Sequence, residues 1–169
     1  MKIIAIIGVI FVGISALMVN DISKMSPETI IMCTLDEGGI LIPAKACEYY
    51  LYNHRDIASD IKKMSNSVGL GFILEGSNKI KKYELASFFI QNGLSVNSVN
   101  YSEGYNITPL HGAVMSNDLE MVTFLLNNAA AIDIKAPTLD MTPLELALDI
   151  QIKSPTPQIE QIINLLKAQ

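Results

Sequence analysis

Cysteine and histidine are scarce in this chain, each occurring twice in 169 residues. No two cysteines stand in a C-x-x-C spacing, and two histidines are too few to replace them, so a zinc centre is disfavoured and no metal or other cofactor is implied. Basic residues are also few. Twelve Lys and Arg against seventeen Asp and Glu give a formal net charge of −5, and without a basic patch nucleic acid is not an expected partner. The lysines form two small groups, Lys62 with Lys63 and Lys79 with Lys81 and Lys82, read as solvated helix faces. Catalytic constellations are missing too: Gly69-Leu70-Gly71 is too short for a phosphate loop and lacks its lysine, and Asp36-Glu37 are adjacent, as turn carboxylates often are. With no nucleophile beside a base and no carboxylate pair in a defined setting, the chain is not expected to be an enzyme.

What the sequence does contain begins at its N-terminus. Lys2 precedes an uncharged, mostly apolar run from Ile3 to Val19, closed by Asn20 and Asp21. That layout is expected of a secretory signal peptide or a retained anchor over residues 1–20. The run exceeds the usual h-region of about 7–15 residues, falls short of the roughly 20 of a spanning helix, and has only weak cleavage candidates around Ser15 and Ala16. In either case the remainder is expected outside the cytoplasm, in the periplasm, tethered to the inner membrane only if the segment is retained. Removing the run takes away one charge, Lys2, and moves the net charge from −5 to −6. Cys33 and Cys47 follow the run, and an even count in an oxidising compartment favours a disulfide over two buried thiols.

Residues 21–83 read as an N-terminal capping region. Apolar positions Cys47, Tyr50, Leu51, Ile57, Ala58 and Ile61 fall within one stripe, predicting a helix over 44–64 with His54 at its core boundary and Tyr49 and Tyr52 facing outward as a possible aromatic contact patch. Before it, two short apolar runs flank Asp36-Glu37-Gly38-Gly39 and predict a hairpin, which a Cys33–Cys47 bridge would pin to the helix.

Residues 84–169 show a repeat. Thr108 is placed to cap a helix through its hydroxyl, Pro109 suits the first helical position, and Leu110, Ala113 and Val114 share a face. Asn117-Asp118 make a turn into a second helix carrying Leu119, Val122, Leu125 and Leu126. Thr142-Pro143-Leu144 repeats the first helix 34 residues later, with Leu146, Ala147 and Leu148 on it, and Ile159, Ile162, Leu165 and Leu166 repeat the second. Backwards, Glu84 to Asn97 aligns at an offset of 36. Periods in this range mark a solenoid of stacked helix pairs.

The motif Thr108-Pro109-Leu110-His111-Gly112-Ala113 resembles the TPLHxA signature of the ankyrin repeat family, and Phe89, Ile90, Gly93, Val96 and Asn97 resemble the ending of its second helix. The resemblance implies a mainly α, short ankyrin-repeat solenoid behind a divergent N-terminal capping segment. It also implies that His111 orders its turn by hydrogen bonding to Thr108. Two departures stand out: Ala129 replaces the glycine that ends the helix left-handed, and Glu145 replaces the motif histidine.

By the same resemblance, protruding turns act as fingers and first helices as a palm. From Asn97 to Thr108 is 11 residues, and from Asp133 to Thr142 is 9, so the first finger carries extra length. Its Tyr101 and Tyr105 are candidate aromatic anchors, with Glu103 adding charge. Met115 and Ser116 map to one palm, Asp149 and Ile150 to the next, and Leu139 and Met141 to the second finger. The expected function is binding to another protein. An acidic, exported module of this type is similar to immunity proteins that occlude a toxin or effector enzyme; the alternatives are a periplasmic accessory protein that stabilises a resident enzyme and a secreted module acting on host proteins.

Overall fold

The computed structural model describes residues 13, 15–102, 104 and 106–169. Most of the apolar N-terminal run lies outside these residues, as do Glu103 and Tyr105. The described chain is mainly helical: α1 over residues 15–24, α2 Pro27–Thr34, α3 Ala44–His54, α4 Ile57–Ser65, α5 Gly71–Leu74, α6 Lys81–Gln91, α7 Pro109–Met115, α8 Leu119–Asn127, α9 Pro143–Lys153 and α10 Pro157–Lys167. The β structure among the described residues is confined to two isolated bridges. No described helix is long and apolar enough to cross a membrane.

The chain divides into two compact units, Met1–Ile57 and Ala58–Gln169. In the first, residues 15–21 of α1 are exposed or half-buried, and full burial begins at Ile22. Ser26 starts α2 by accepting a bond from the Thr29 N–H at 3.1 Å, and Pro27 occupies the first turn, where its missing N–H costs nothing. Ile30, Ile31 and Cys33 are then buried, and Asp36 turns the chain away in a left-handed conformation (φ 63°). The expected hairpin is therefore absent: its first apolar run is helix α2, and residues 36–42 are turn and loop. Cys33 and Cys47 form the disulfide, which joins α2 to α3 with Cα atoms 5.9 Å apart.

The single helix expected over 44–64 is two helices. Arg55 adopts an extended backbone (φ −85°, ψ 142°) and ends α3, while its guanidinium Nη2 donates to the Met25 carbonyl at 2.8 Å. Cys47 and Leu51 keep the buried positions of the predicted stripe, but His54 at the end of α3 and Ala58 in α4 are exposed.

In the second unit, three helix pairs follow one another: α5 with α6, α7 with α8, and α9 with α10. α5 contacts α7, α7 contacts α9, and α8 contacts α10. The short α5 stands where a TPLH helix would be. The chain before it is locked to the next turn: the Ser98 hydroxyl accepts from Leu70 N–H at 2.8 Å, and Gly69 adopts φ 61° where an added Cβ would lie 2.5 Å from the Ser98 carbonyl oxygen. Leu85, Phe89, Leu110, Val114, Val122, Leu125, Ile159 and Ile162 are fully buried, each such side chain contributing about 1.5–3 kcal/mol relative to exposure. On α8 the buried face comprises Met121, Val122 and Leu125, while Leu119 and Leu126 are half-buried.

Ala129 keeps the left-handed turn (φ 61°) that Gly93 makes one repeat earlier (φ 104°). A left-handed conformation costs an L-residue about 1–2 kcal/mol, partly offset by the roughly 0.5–1 kcal/mol entropic cost of glycine. Ala129→Gly is therefore expected to stabilise the second unit by about 0.5–1 kcal/mol; an unchanged or lower denaturation midpoint would show that the turn carries no such strain. The disulfide closes a short loop in a small unit and should contribute about 3 kcal/mol. Replacing both cysteines by serine is expected to speed hydrogen exchange at Ile30, Ile31 and Leu51 by about 100-fold, since each 1.4 kcal/mol is tenfold; unaltered protection would contradict this.

Candidate binding surface

The two fingers are built alike. Asn100 bridges Ile107, its N–H donating to the Ile107 carbonyl at 3.0 Å, and Ala136 bridges Met141 with the matching bond at 2.9 Å. Between the bridged residues lie 101–106 in the first finger and 137–140 in the second, so the extra length is at the tip. The base of the long finger is anchored: the Tyr101 N–H donates to the Ser67 carbonyl at 2.8 Å, and Asn100 Oδ1 accepts from the Ser102 N–H at 2.9 Å. The repeats are also tied at their turns, where Asn97 Oδ1 accepts from Ala131 N–H at 2.9 Å.

His111 is fully buried and connects α7 to the second finger. Its Nε2 lies 2.9 Å from the Met141 carbonyl oxygen, which can only accept, so Nε2 carries the proton. Nδ1 of the neutral ring then accepts from the Thr108 hydroxyl at 2.7 Å. Thr108 is thus the N-cap residue of α7 by backbone conformation, but its hydroxyl makes no cap hydrogen bond to the helix, contrary to the expected role. In the third pair Thr142 does cap, accepting from the Glu145 N–H at 3.3 Å, while the Glu145 carboxylate accepts from the Thr142 N–H at 2.8 Å. That backbone bond holds the Glu145 carboxyl below its usual range.

The predicted contact residues are spread over several elements. Tyr101 is 54% exposed and Met115 46% exposed, and Ser116 is exposed at the end of α7. Leu139, Met141, Asp149 and Ile150 are half-buried, and Asp149 pairs with Lys153 at 2.7 Å. Tyr49 and Tyr52 are exposed but belong to the first unit, where Tyr49 packs edge-on to His54 with centroids 5.5 Å apart.

A cleft of about 280 Å³ brings the base of the first finger together with α5, α6 and the end of α7, through Leu74, Lys82, Asn100, Ile107 and Ser116. Lys82 was expected on a solvated face and is instead only 8% exposed. The signal was present, since Lys82, Leu85, Ala86 and Phe89 share helical spacing and all four are buried. Neighbouring Tyr83 packs on Phe124 with centroids 4.8 Å apart, and burial, with Asp118 and Glu120 nearby, pushes its hydroxyl up to about 12.

Stacked helix pairs with projecting turns define a repeat-type scaffold. Residues 81–126, from α6 through α8, match the family model described as ankyrin repeats (many copies), so this segment carries ankyrin repeats, which indicate a protein–protein interaction module. No curated protein and no solved structure matches the chain.

Burial lowers the pKa of His111 from the ordinary value of 6.5, and the bond to Met141 opposes this in part. The unfolded chain therefore binds the proton more readily, so the contribution to stability is complete above about pH 6.5 and is lost as pH falls towards the folded pKa. Acidification from pH 7.5 to 5.5 is expected to lower the denaturation midpoint of the second unit, and His111→Gln should remove that slope. A wild-type midpoint independent of pH over this interval would show that the ring is not held neutral.

Proposed function

We propose that this chain is an exported immunity protein, which neutralises a toxin or effector enzyme by covering it with the first finger and the adjoining α7 surface. The observation that carries the reading is the lengthened first finger: an anchored base presents Tyr101 to solvent, and Met115 is exposed at the end of α7, the helix that follows the finger. Recognition sits preferentially in loops held by a rigid scaffold, and tyrosine is enriched among interface anchors. Export is supported by the Lys2-led apolar run and by a disulfide in the first unit, a bond that persists in oxidising compartments. The net charge of −5 would speed association with a basic toxin.

A strain lacking the protein is expected to lose in competition with its parent. Wild-type protein should restore survival, and a Tyr101→Ala, Met115→Ala double variant of equal abundance should not. Full survival of the deletion strain removes the immunity reading. If the protein instead captures a resident periplasmic enzyme that loses activity in the deletion strain, it acts as an accessory protein.

A further inference from the structure

The last helix pair leaves open a face that the preceding pair buries. α7 packs between α5 and α9, and its Leu110, His111 and Val114 are fully buried. α9 packs against α7 and its own partner α10. At the positions 34 residues on, Leu144 is half-buried, Glu145 is exposed and Leu148 is 39% exposed. The burial lost between the two repeats marks the open side of α9. This helix is also longer, 11 residues against 7 in α7, and its added turn carries Ile152, which is 83% exposed. Leu144, Leu148 and Ile152 stand four residues apart and form one apolar stripe.

One repeat earlier the element that lies against such a face is a helix, α9 itself. The charges beside the stripe then select the sequence of the occupant. Lys153 pairs with Asp149 at 2.7 Å and Lys135 with Asp140 at 3.3 Å, which leaves Glu145, among the described residues, without an ion pair. Its carboxylate accepts from the Thr142 N–H and has lone pairs to spare. Where His111 offers a donor to the next element, Glu145 offers an acceptor, so the fitting occupant brings a donor. A second copy of this chain fits poorly, because a twofold contact joins identical surfaces and would set Glu145 and Asp149 against their own counterparts. We infer that this face docks an amphipathic helix of the protein partner, with apolar residues over Leu144, Leu148 and Ile152 and a bordering Lys or Arg that pairs with Glu145. The inference takes from the protein-binding reading only that the helix belongs to a protein.

The test is a titration of the ¹⁵N-labelled full-length chain with a peptide of about 20 residues, long enough to hold a helix in water, that carries Leu at helical spacing and Lys along one border of the Leu stripe. Saturable shifts are expected at the amides of Leu144, Leu148 and Ile152, with Tyr101 and Ser102 of the first finger unmoved. Replacing the lysines of the peptide by glutamate should weaken binding at least tenfold. Glu145→Gln, which can still accept the Thr142 bond, should weaken it several-fold. Ile152→Gln, at a side chain already in solvent, should do the same and leave the denaturation midpoint unchanged. Equal binding of the two peptides, shifts centred on the first finger, or no binding overturns the inference. So does self-association of the free chain, measured by sedimentation, that Ile152→Gln abolishes. A failed titration removes this docking face alone, whereas failure of the competition assay removes the immunity reading alone.

Discussion

The architecture of the second unit depends on one buried imidazole. Apolar packing holds α7 against α8 and α9, but hydrophobic attraction is not directional. His111 supplies the direction: one ring nitrogen accepts from Thr108 within its own helix start, and the other donates to a carbonyl 30 residues on. The bond is made to backbone, so it fixes the base of the finger whatever side chains the tip carries. Glu145, at the corresponding place in the third pair, turns its carboxylate back onto Thr142 and closes a capping box within one repeat. Its substitution for histidine therefore keeps the helix start and gives up the reach to a neighbour.

Turn geometry is the second constraint. Asn117 and Asp140 hold left-handed conformations (φ 54° and 50°) that asparagine and aspartate tolerate better than most residues, and Gly93 does so freely. Asn117 was legible in the sequence as a turn residue and Gly93 as part of a second-helix ending, whereas Asp140 was not singled out. Ala129, which replaces the glycine of this position, retains the turn at φ 61°, with its backbone satisfied because the Ala129 and Ala130 N–H groups donate to Leu126 and Leu125. Stacking on both sides overrides a local preference worth about 1–2 kcal/mol.

The repeat half of the chain was legible because its signals agree: Thr-Pro starts, helical spacing and a recurring offset all point to the same helix pairs. The N-terminal part was less so. A four-residue apolar run such as Ile30 to Cys33 cannot be assigned to strand or helix by periodicity, and the Gly38-Gly39 turn tipped it the wrong way. The decisive local signal was Ser26-Pro27, an N-cap followed by a first-turn proline. The break at Arg55 had no glycine or proline to announce it. Its cause is tertiary, a guanidinium bond to Met25 thirty residues earlier. Lys82 was misplaced for the opposite reason: residue type was given more weight than its spacing with Leu85, Ala86 and Phe89.

The candidate site shows why the extra finger length need not weaken recognition. A longer loop has more conformations to lose on binding, and that loss would be charged against affinity. Here the loss is limited at the base, where Ser67 takes the Tyr101 N–H, Ser98 takes the Leu70 N–H, and the two bridged residues close the hairpin. Gly69 permits the contact between Leu70 and Ser98, since a side chain there would meet the Ser98 carbonyl. The degenerate first repeat, which lacks a TPLH helix, therefore has a positive role. The turn before its short α5 carries the contacts that hold the base of the finger, through the Ser67 carbonyl and the Leu70 N–H.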